Sequence, residues 1–245
     1  MEKKAKPKTP ITFHRLMVHS HHESHQNFHF SSFSKRVNVY FGEAPEKTTD
    51  ISFNTNKGIS NCHNKLTMKT IFKKSKIPSP DFSMELFPSY PQVVKRVRHS
   101  RGEGMQLLEK ECRIAPNKEQ YFEEFVECED EYRCHVIGDS IFHVDKKTLR
   151  PGHRESWIKN LSNYKYMEMP VKKTFTAAQC RTIVKSVQCL GLVFGAVDVG
   201  VCANGALCIF EVNSAPGMRT LTRKKYENAI SDYIVKNYKV RKKNI

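Results

Sequence analysis

Two carboxylates and a side-chain amide lie at two predicted strands near the end of the chain. Asp198 interrupts one apolar stretch, Glu211 ends the next, and Asn213 follows two positions later. A lone carboxylate among aliphatic residues is costly to bury unless a cation pairs with it. Carboxylate and amide oxygens are hard ligands that suit Mg²⁺ or Mn²⁺ together with a phosphate. The spacing predicts a metal site, although salt-bridged or solvated strand ends are the alternative.

A lysine and two glycines form a second group that suits a phosphate. Lys95 ends the apolar stretch Val93-Val94-Lys95, and Gly102 and Gly104 follow in a polar segment. Glycine lets backbone N–H groups approach a phosphate closely. The residue order is neither that of a Walker A loop nor that of a Rossmann dinucleotide site. An ordinary surface turn is the alternative interpretation.

The elements that must position these groups follow from periodicity and turn residues. Gly138-Asp139 and Asn204-Gly205 are typical of two-residue hairpin turns, and an asparagine before Leu66 is typical of a helix N-cap. Strands are predicted over 36–41, 51–53, 92–95, 119–126, 132–137, 140–144, 194–199 and 206–212, and helices over 66–72, 177–190 and 222–238.

Composition limits the class of protein. The chain has 245 residues, 39% of them hydrophobic and 27% charged, which is enough to bury a core. A formal net charge of +16 favours anionic partners such as nucleotides, nucleic acids or acidic peptides. No apolar stretch is long enough to span a membrane, and no apolar core follows the charged start, so we expect no membrane partner. Eight cysteines without a C-x-x-C pair predict a reduced, cytoplasmic protein.

Histidines are concentrated near the start of the chain. The spacing of His21, His25 and His29 would place three imidazoles on one face of a helix, which is one way to build a metal site. No carboxylate or cysteine completes a ligand set there. A polar segment without a metal is the favoured interpretation.

The most specific pattern joins the two strands that carry the carboxylates. Gly195-Ala196-Val197-Asp198 leads to Phe210-Glu211-Val212-Asn213-Ser214-Ala215-Pro216-Gly217-Met218. With this pattern the chain resembles the ATP-grasp superfamily from Asn61 to Met218, and within it the carboxylate–amine ligases of the ribosomal-protein glutamate ligase type. The resemblance implies an α+β, ATP-grasp fold in which two α/β lobes clamp ATP. The implied organisation is a disordered basic tail (1–10), a shortened N-terminal region (11–60), a first lobe (61–126) and a second lobe with the metal site and a basic helix (127–245).

The resemblance also implies roles for individual residues. Metal binding falls on Asp198, Glu211 and Asn213, catalysis on Arg133, Lys146 and Asn160, and contact with the substrate carboxylate on Arg219. The chain departs from the family at Arg96 and His99, where proline and glycine are frequent, so we expect a stiffer phosphate loop. The residues implied to bind ATP are Lys65, Lys95, Ser100, Gly102, Gly104, Glu123, Glu124, Phe125, Val126 and Glu131.

The implied reaction uses ATP and Mg²⁺ or Mn²⁺ to activate a carboxylate as an acyl phosphate, which an amine then converts to an amide. An amino acid and a peptide or protein are the expected reactants. Because the N-terminal region is short, either that domain is reduced, or a partner protein or a second copy of the chain completes the acceptor site. Three alternatives stay open: an ATP-grasp kinase acting on a small anionic substrate, a basic nucleic-acid-binding protein, and an ATP-binding regulator without turnover.

Overall fold

A computed structural model describes residues 14–19, 27–31, 36–41, 51–97, 104–110, 117, 119–160, 162–217 and 220–238. Within these residues the chain forms three β-sheets and five helices. The strands are β1 His14–His19, β2 Asn27–Ser31, β3 Arg36–Val39, β4 Ile51–Phe53, β5 Phe82–Ser83, β6 Gln92–Arg96, β7 Gln106–Leu108, β8 Gln120–Glu124, β9 Asp130–Ile137, β10 Ser140–Leu149, β11 Tyr164–Met169, β12 Phe194–Val201 and β13 Leu207–Asn213. The helices are α1 Asn56–His63, α2 Lys65–Lys74, α3 Val171–Thr174, α4 Ala177–Gln188 and α5 Thr220–Tyr238.

The largest sheet contains five antiparallel strands in the order β11-β10-β9-β12-β13. Both predicted hairpins lie in it, and both turn glycines, Gly138 and Gly205, have a positive φ. Gly138-Asp139 forms the expected two-residue turn between Ile137 and Ser140, whereas the second hairpin has a longer loop, because its strands pair at Val201 and Leu207. Two parts of this sheet are absent from the predicted elements: β10 continues to Leu149, and β11 adds an edge strand. The alternating Tyr164-Lys165-Tyr166 sequence is the signal that would have indicated β11.

One face of this sheet is buried by helices. Cys134, Val136, Val197 and Val199 point to this face and share a hydrophobic core with residues of α1, α2 and α4. Helices α1 and α2 therefore pack on the sheet of the predicted second lobe, although α2 lies within the range predicted for the first. The boundary after residue 126 stays a prediction.

The opposite face is divided between a helix and a group of charged side chains. Tyr226, Ile230 and Ile234 of α5 are fully buried against Ile137 and Phe194 at one end of the strands. Strands β3 and β4 contribute Val39 and Phe53 to the same cluster, so this end of the face is closed. The other end carries the predicted site.

A smaller sheet lies beside this one, with the strand order β5-β8-β6-β7. Its strands β6 and β8 carry Lys95 and Glu123, two of the predicted site residues. Helix α2 begins at the predicted asparagine cap, because the Asn64 side chain accepts a hydrogen bond of 3.0 Å from the Thr67 backbone. Lys65 is thereby fixed as the first residue of the helix.

The N-terminal sheet has the order β1-β2-β3-β4, and its β3 and β4 confirm the strands predicted near 36–41 and 51–53. His29 lies in β2, so a helix through that position is wrong. His21 and His25 lie outside the described residues. No helix in the described part of the chain is both long and apolar enough to cross a membrane.

Candidate active site

Strand pairing brings the predicted metal ligands together. Strands β12 and β13 are antiparallel neighbours, and their register sets Asp198 directly opposite Glu211. The Asn213 amide donates to both carboxylates, over 3.3 Å to Asp198 Oδ2 and 2.9 Å to Glu211 Oε1. Two carboxylates and one amide oxygen at a single point form a donor set that fits a hard divalent cation.

Cationic side chains of the chain surround this trio. Arg133 donates two hydrogen bonds to Asp198, of 3.1 Å from Nε and 2.7 Å from Nη2. Lys147 Nζ lies 3.5 Å from Asp198 Oδ1. Lys65 Nζ lies 2.9 Å from Glu211 Oε2. This arrangement concentrates the charges needed to bind polyphosphate at the end of the sheet.

Burial and charge act against each other on Asp198. Burial by itself raises the pKa of Asp198. The Arg133 guanidinium and the Lys147 ammonium lower it and outweigh burial, so the net pKa lies below the usual value. The carboxylate is therefore ionised at neutral pH.

The same opposition applies to Lys65. Burial lowers the pKa of Lys65, but the surrounding negative groups, Glu211 first among them and Asp198 also, together outweigh it, so the net shift is upward. The Lys65 ammonium therefore remains charged at neutral pH.

Lys147, rather than its neighbour Lys146, faces the metal-ligand trio. The Lys147 side chain is 10% exposed and lies 3.0 Å from Glu131 Oε2. The Lys146 side chain is 29% exposed, lies 2.6 Å from Asp130 and sits over the ring of Tyr132. Lys147 was missed by the sequence analysis.

At Asn160, too, the site is contacted by the neighbouring residue and not by the predicted one. The Asn160 side chain accepts a hydrogen bond from the Ser162 backbone and thus closes a local turn. Its neighbour Lys159 reaches Glu131 Oε1 at 3.5 Å. Glu131 is therefore held between Lys147 and Lys159 at the edge of the site.

Tyr166 of β11 completes this edge. Its ring lies 5.3 Å from the Arg133 guanidinium carbon, within the range of a cation–π contact. Tyr166 and Lys159 lie in a segment for which no structure was predicted, and no motif singled them out.

Lys95 lies on the smaller sheet, in an ion cluster with a glutamate. The Lys95 ammonium contacts Glu123 Oε2, and Lys69 Nζ of α2 lies 3.0 Å from Glu123 Oε1. Tyr121 donates a further hydrogen bond of 3.2 Å to Glu123. Burial raises the pKa of Glu123, but Lys69 and Lys95 lower it by more, so the net shift is downward. Lys69 is a further residue that the sequence analysis missed.

The end of β8 and the residue after it are bound to the smaller sheet through their backbone N–H groups. The Glu124 N–H donates to Asp81 over 3.0 Å, and the Phe125 N–H donates to Pro91 over 3.3 Å. The Glu124 side chain is exposed, while Phe125 and Val126 are partly buried. Gly104 has a positive φ and lies against Arg96. Ser100, Gly102 and Arg219 lie outside the described residues.

A second polar cluster lies on the same sheet face, below α5. His143 Nε2 is 3.0 Å from Asp145 Oδ2, and His135 Nε2 is 3.8 Å from the same oxygen. The Tyr226 hydroxyl is 2.9 Å from His135 Nδ1. Burial, followed by the charges of His143 and Arg133, lowers the pKa of His135 to about 3, so this ring is neutral at physiological pH.

Solved structures with a similar architecture are ATP-grasp enzymes. The chain superposes on D-alanine–D-alanine ligase from Bacillus anthracis with a TM-score of 0.57 and 16% identity, over 76% of this chain and 70% of the other. It superposes on the ATP-grasp ligase PsnB, complexed with a precursor peptide and AMPPNP, with a TM-score of 0.57 and 13% identity, over 77% and 63% of the two chains. The predicted ATP-grasp fold is confirmed by these similarities.

Sequence relatives indicate a narrower resemblance. The chain is 26% identical over 185 residues to a probable alpha-L-glutamate ligase of Pseudomonas fluorescens Pf-5, and 25% identical to one of Pseudomonas syringae pv. tomato. These matches cover 69% of this chain and 58% of each relative. The chain thus spans less than two thirds of the length of these relatives. No protein-family model matches it.

Proposed function

We propose that the protein is an ADP-forming ligase that joins a carboxylate to an amine. The observation that carries the proposal is the convergence of Asp198, Glu211 and Asn213, with Arg133, Lys147 and Lys65 held against the two carboxylates. Phosphoryl transfer from ATP requires mainly positioning and neutralisation of charge, and these groups supply both. The names of the sequence relatives, as glutamate ligases, support the same class of reaction.

The nucleotide is assigned to the space between the two sheets. Lys65 and Lys95 neutralise phosphates, and the segment with Ser100, Gly102 and Gly104 covers them. The segment Glu123, Glu124, Phe125 and Val126 supplies backbone contacts to adenine, and Glu131 contacts the ribose. Because the Glu123 carboxylate is committed to Lys69 and Lys95, its part in this segment is to position Lys95.

The trio Asp198, Glu211 and Asn213 would hold Mg²⁺, and its hard oxygen donors suit Mn²⁺ as well. A solved PsnB structure contains Mg and ADP, which supports Mg²⁺ as the ion in this fold. The ion supplies charge neutralisation for the phosphates. Arg133 and Lys147 add fixed positive charge where the transferred phosphoryl group develops negative charge.

The reaction has two steps. A carboxylate oxygen of the substrate attacks the γ-phosphorus of ATP, the bond to the β-phosphate oxygen breaks, and an acyl phosphate and ADP result. A neutral amine then attacks the acyl carbon, the carbon–oxygen bond to phosphate breaks, and the amine proton passes to solvent. The acyl phosphate is hydrolysable, so a loop that excludes water is required.

The substrates we propose are an amino acid and a peptide or protein. One PsnB structure contains a precursor peptide, and an L-amino acid ligase shares the fold with a TM-score of 0.50. The net charge of +16 favours an acidic acceptor. Arg219 is assigned to the substrate carboxylate. A second copy of the chain or a partner protein completes the acceptor site, and the cytoplasm is the proposed location.

Isotope transfer tests the proposal directly. Purified protein is incubated with ATP, Mg²⁺, pooled amino acids and acidic peptides, with ¹⁸O in the carboxylates of the amino acids in one reaction and of the peptides in another, and the products are analysed by mass spectrometry. We expect ADP, a product heavier by one amino acid minus water, and one ¹⁸O atom in the released phosphate of the reaction in which the activated carboxylate carries the label. Transfer of ¹⁸O shows that the carboxylate was phosphorylated before the amide formed.

Matched carboxamide variants separate the site from the fold. Asp198→Asn is expected to lower ADP formation by about 100-fold or more, because it removes a charged metal ligand. Asp139→Asn, an exposed carboxylate of the same sheet, is expected to retain activity. Phosphorylated product without an amide would assign a kinase instead, and equal activity of the two variants would contradict the site.

A further inference from the structure

A group of three metal-ligating side chains lies outside the trio described above. His135 and His143 are directly opposite each other on β9 and β10, and Asp145 follows His143 by two positions. All three are buried, and one ligand atom from each lies within 4.8 Å of the others. Strand alternation places all three on one face of the sheet. On this face, Arg133 lies between Asp145 and Asp198.

The type and spacing of these atoms fit a transition-metal ion. The two histidine Nε2 atoms are 3.0 Å and 3.8 Å from Asp145 Oδ2. Tetrahedral Zn²⁺ with bonds of about 2.0 to 2.2 Å requires its ligand atoms to be roughly 3.3 Å apart. Two imidazoles and one carboxylate form a softer donor set than the oxygen trio at Asp198, and they favour Zn²⁺ over Mg²⁺. We infer that His135, His143 and Asp145 form a second metal site that binds Zn²⁺.

His135 has a hydrogen-bond partner on the ring nitrogen that would not bind the metal. The Tyr226 hydroxyl lies 2.9 Å from Nδ1, so the ring is oriented with Nε2 towards Asp145. Such a contact to the far nitrogen fixes the tautomer and orientation of a metal-binding histidine. Tyr226 is fully buried on α5, and the metal would therefore join two strands to the helix that covers them.

His143 has a competing partner that makes the inference testable. Lys225 Nζ lies 3.1 Å from His143 Nδ1 and 2.6 Å from Glu168 Oε1. As long as Lys225 donates to Nδ1, the His143 proton resides on Nε2 and is shared with Asp145. Zn²⁺ at Nε2 moves that proton to Nδ1, where Lys225 can no longer donate. Glu168 Oε1, 3.7 Å from Nδ1, is placed to accept it instead.

Removal of Lys225 should therefore strengthen metal binding, which a simple hydrogen-bonded network would not predict. The full chain is stripped of metal, titrated with Zn²⁺ against a chromophoric chelator, and separately titrated with Co²⁺ to record the absorption of a tetrahedral site. We expect one tight Zn²⁺ per chain, weakened at least about 100-fold in His143→Gln and Asp145→Asn. Lys225→Met is expected to bind Zn²⁺ about tenfold more tightly.

The N-terminal histidines require their own control. A variant with His21→Ala and His25→Ala is expected to keep the tight site and its Co²⁺ spectrum. Unchanged affinity in His143→Gln, or loss of the tight site in the N-terminal variant, would overturn the inference. Unchanged or weaker Zn²⁺ binding in folded Lys225→Met would do the same, since it would identify the cluster as a hydrogen-bonded network. These measurements record binding and are independent of the ligase reaction.

Discussion

At the scale of single residues, Lys146 and Lys147 are adjacent but face opposite sides of β10. Lys147 contacts Glu131 and Asp198, whereas Lys146 contacts Asp130 on the other side. We expect Lys147→Met to lower the rate of ADP formation by about 100-fold or more, because it removes a cation from the proposed phosphoryl-transfer site. Steady-state measurement of ADP release at saturating ATP checks this.

Lys146→Met is the matched control for Lys147→Met. Both changes remove one lysine from the same strand, so the change in net charge is equal. We expect the control to stay within about threefold of the unsubstituted protein, as is usual for a partly exposed ion pair. A larger loss of activity in Lys146→Met than in Lys147→Met would show that the assignment of the two lysines is reversed.

A β-bulge in β10 determines that Lys147, and not Lys146, reaches Glu131. A two-residue turn at Gly138-Asp139 pairs Ile137 with Ser140, and an unbroken ladder would then set Lys146 opposite Glu131. The register shifts between Ile141 and His143, so that Lys146 pairs with Tyr132 and Lys147 reaches Glu131. Hydrophobic alternation fixes the face of a strand only as long as its register is regular. Asp198, Glu211 and Asn213 were predictable because a recognisable motif carries them.

At the scale of elements, helix α1 is packed unusually close to the turn before β12. A Cβ atom on Gly58 would lie 2.5 Å from the backbone oxygen of Gly191. Alanine is favoured over glycine in a helix by about 1 kcal/mol, so propensity alone predicts stabilisation. We expect the opposite: Gly58→Ala lowers the free energy of unfolding by about 1 to 3 kcal/mol, because neither backbone can move away cheaply. Chemical denaturation measures the change.

Ser60→Ala, at an exposed position of the same helix, is the control for Gly58→Ala. Its propensity gain is of the same sign, and no close backbone contact opposes it, so we expect stability to rise by a few tenths of a kcal/mol. Stabilisation by both substitutions would show that α1 can move away from Gly191.

Helix α1 was not predictable from local sequence signals. The helix contains Asn56, Gly58 and Asn61, all poor helix formers, and it was not predicted. Ile59 and Cys62 are buried in the main core, so tertiary packing stabilises it. For α2, the cap and the apolar spacing predicted the helix. Periodicity identifies which face of a helix is buried, but it does not identify the sheet on which that face packs.

At the scale of the whole molecule, Glu123 links the two sheets. Lys69 belongs to α2, which packs on the five-stranded sheet, and Lys95 belongs to the smaller sheet. We expect Glu123→Gln to lower the free energy of unfolding at neutral pH by about 3 to 5 kcal/mol, because two buried ammonium groups lose their counter-charge. Urea unfolding at a series of pH values measures the loss.

The sign of the pH dependence follows from the lowered pKa of Glu123. A carboxylate with a folded-state pKa below its unfolded value contributes its full stability above that value, about 4.3, and loses it as pH falls through the folded pKa. The difference between the parent protein and Glu123→Gln should therefore shrink as the pH falls below about 5. Glu124→Gln, at the neighbouring exposed position, should show no such convergence. A difference that does not depend on pH would contradict the ion cluster.

The carboxylates of the metal-ligand trio are held by cations of the chain itself, and this has a thermodynamic consequence. Asp198 is paired with Arg133 and Lys147, and Glu211 with Lys65. A metal ion that binds alone must displace those cations from the carboxylates. A nucleotide that binds alone must pair with the same cations and leave the buried carboxylates without a counter-charge. If both bind together at the proposed site, the cations can contact the phosphates while the ion contacts the carboxylates. By linkage, each then raises the affinity for the other by the same factor, so we expect the metal and the nucleotide to bind cooperatively.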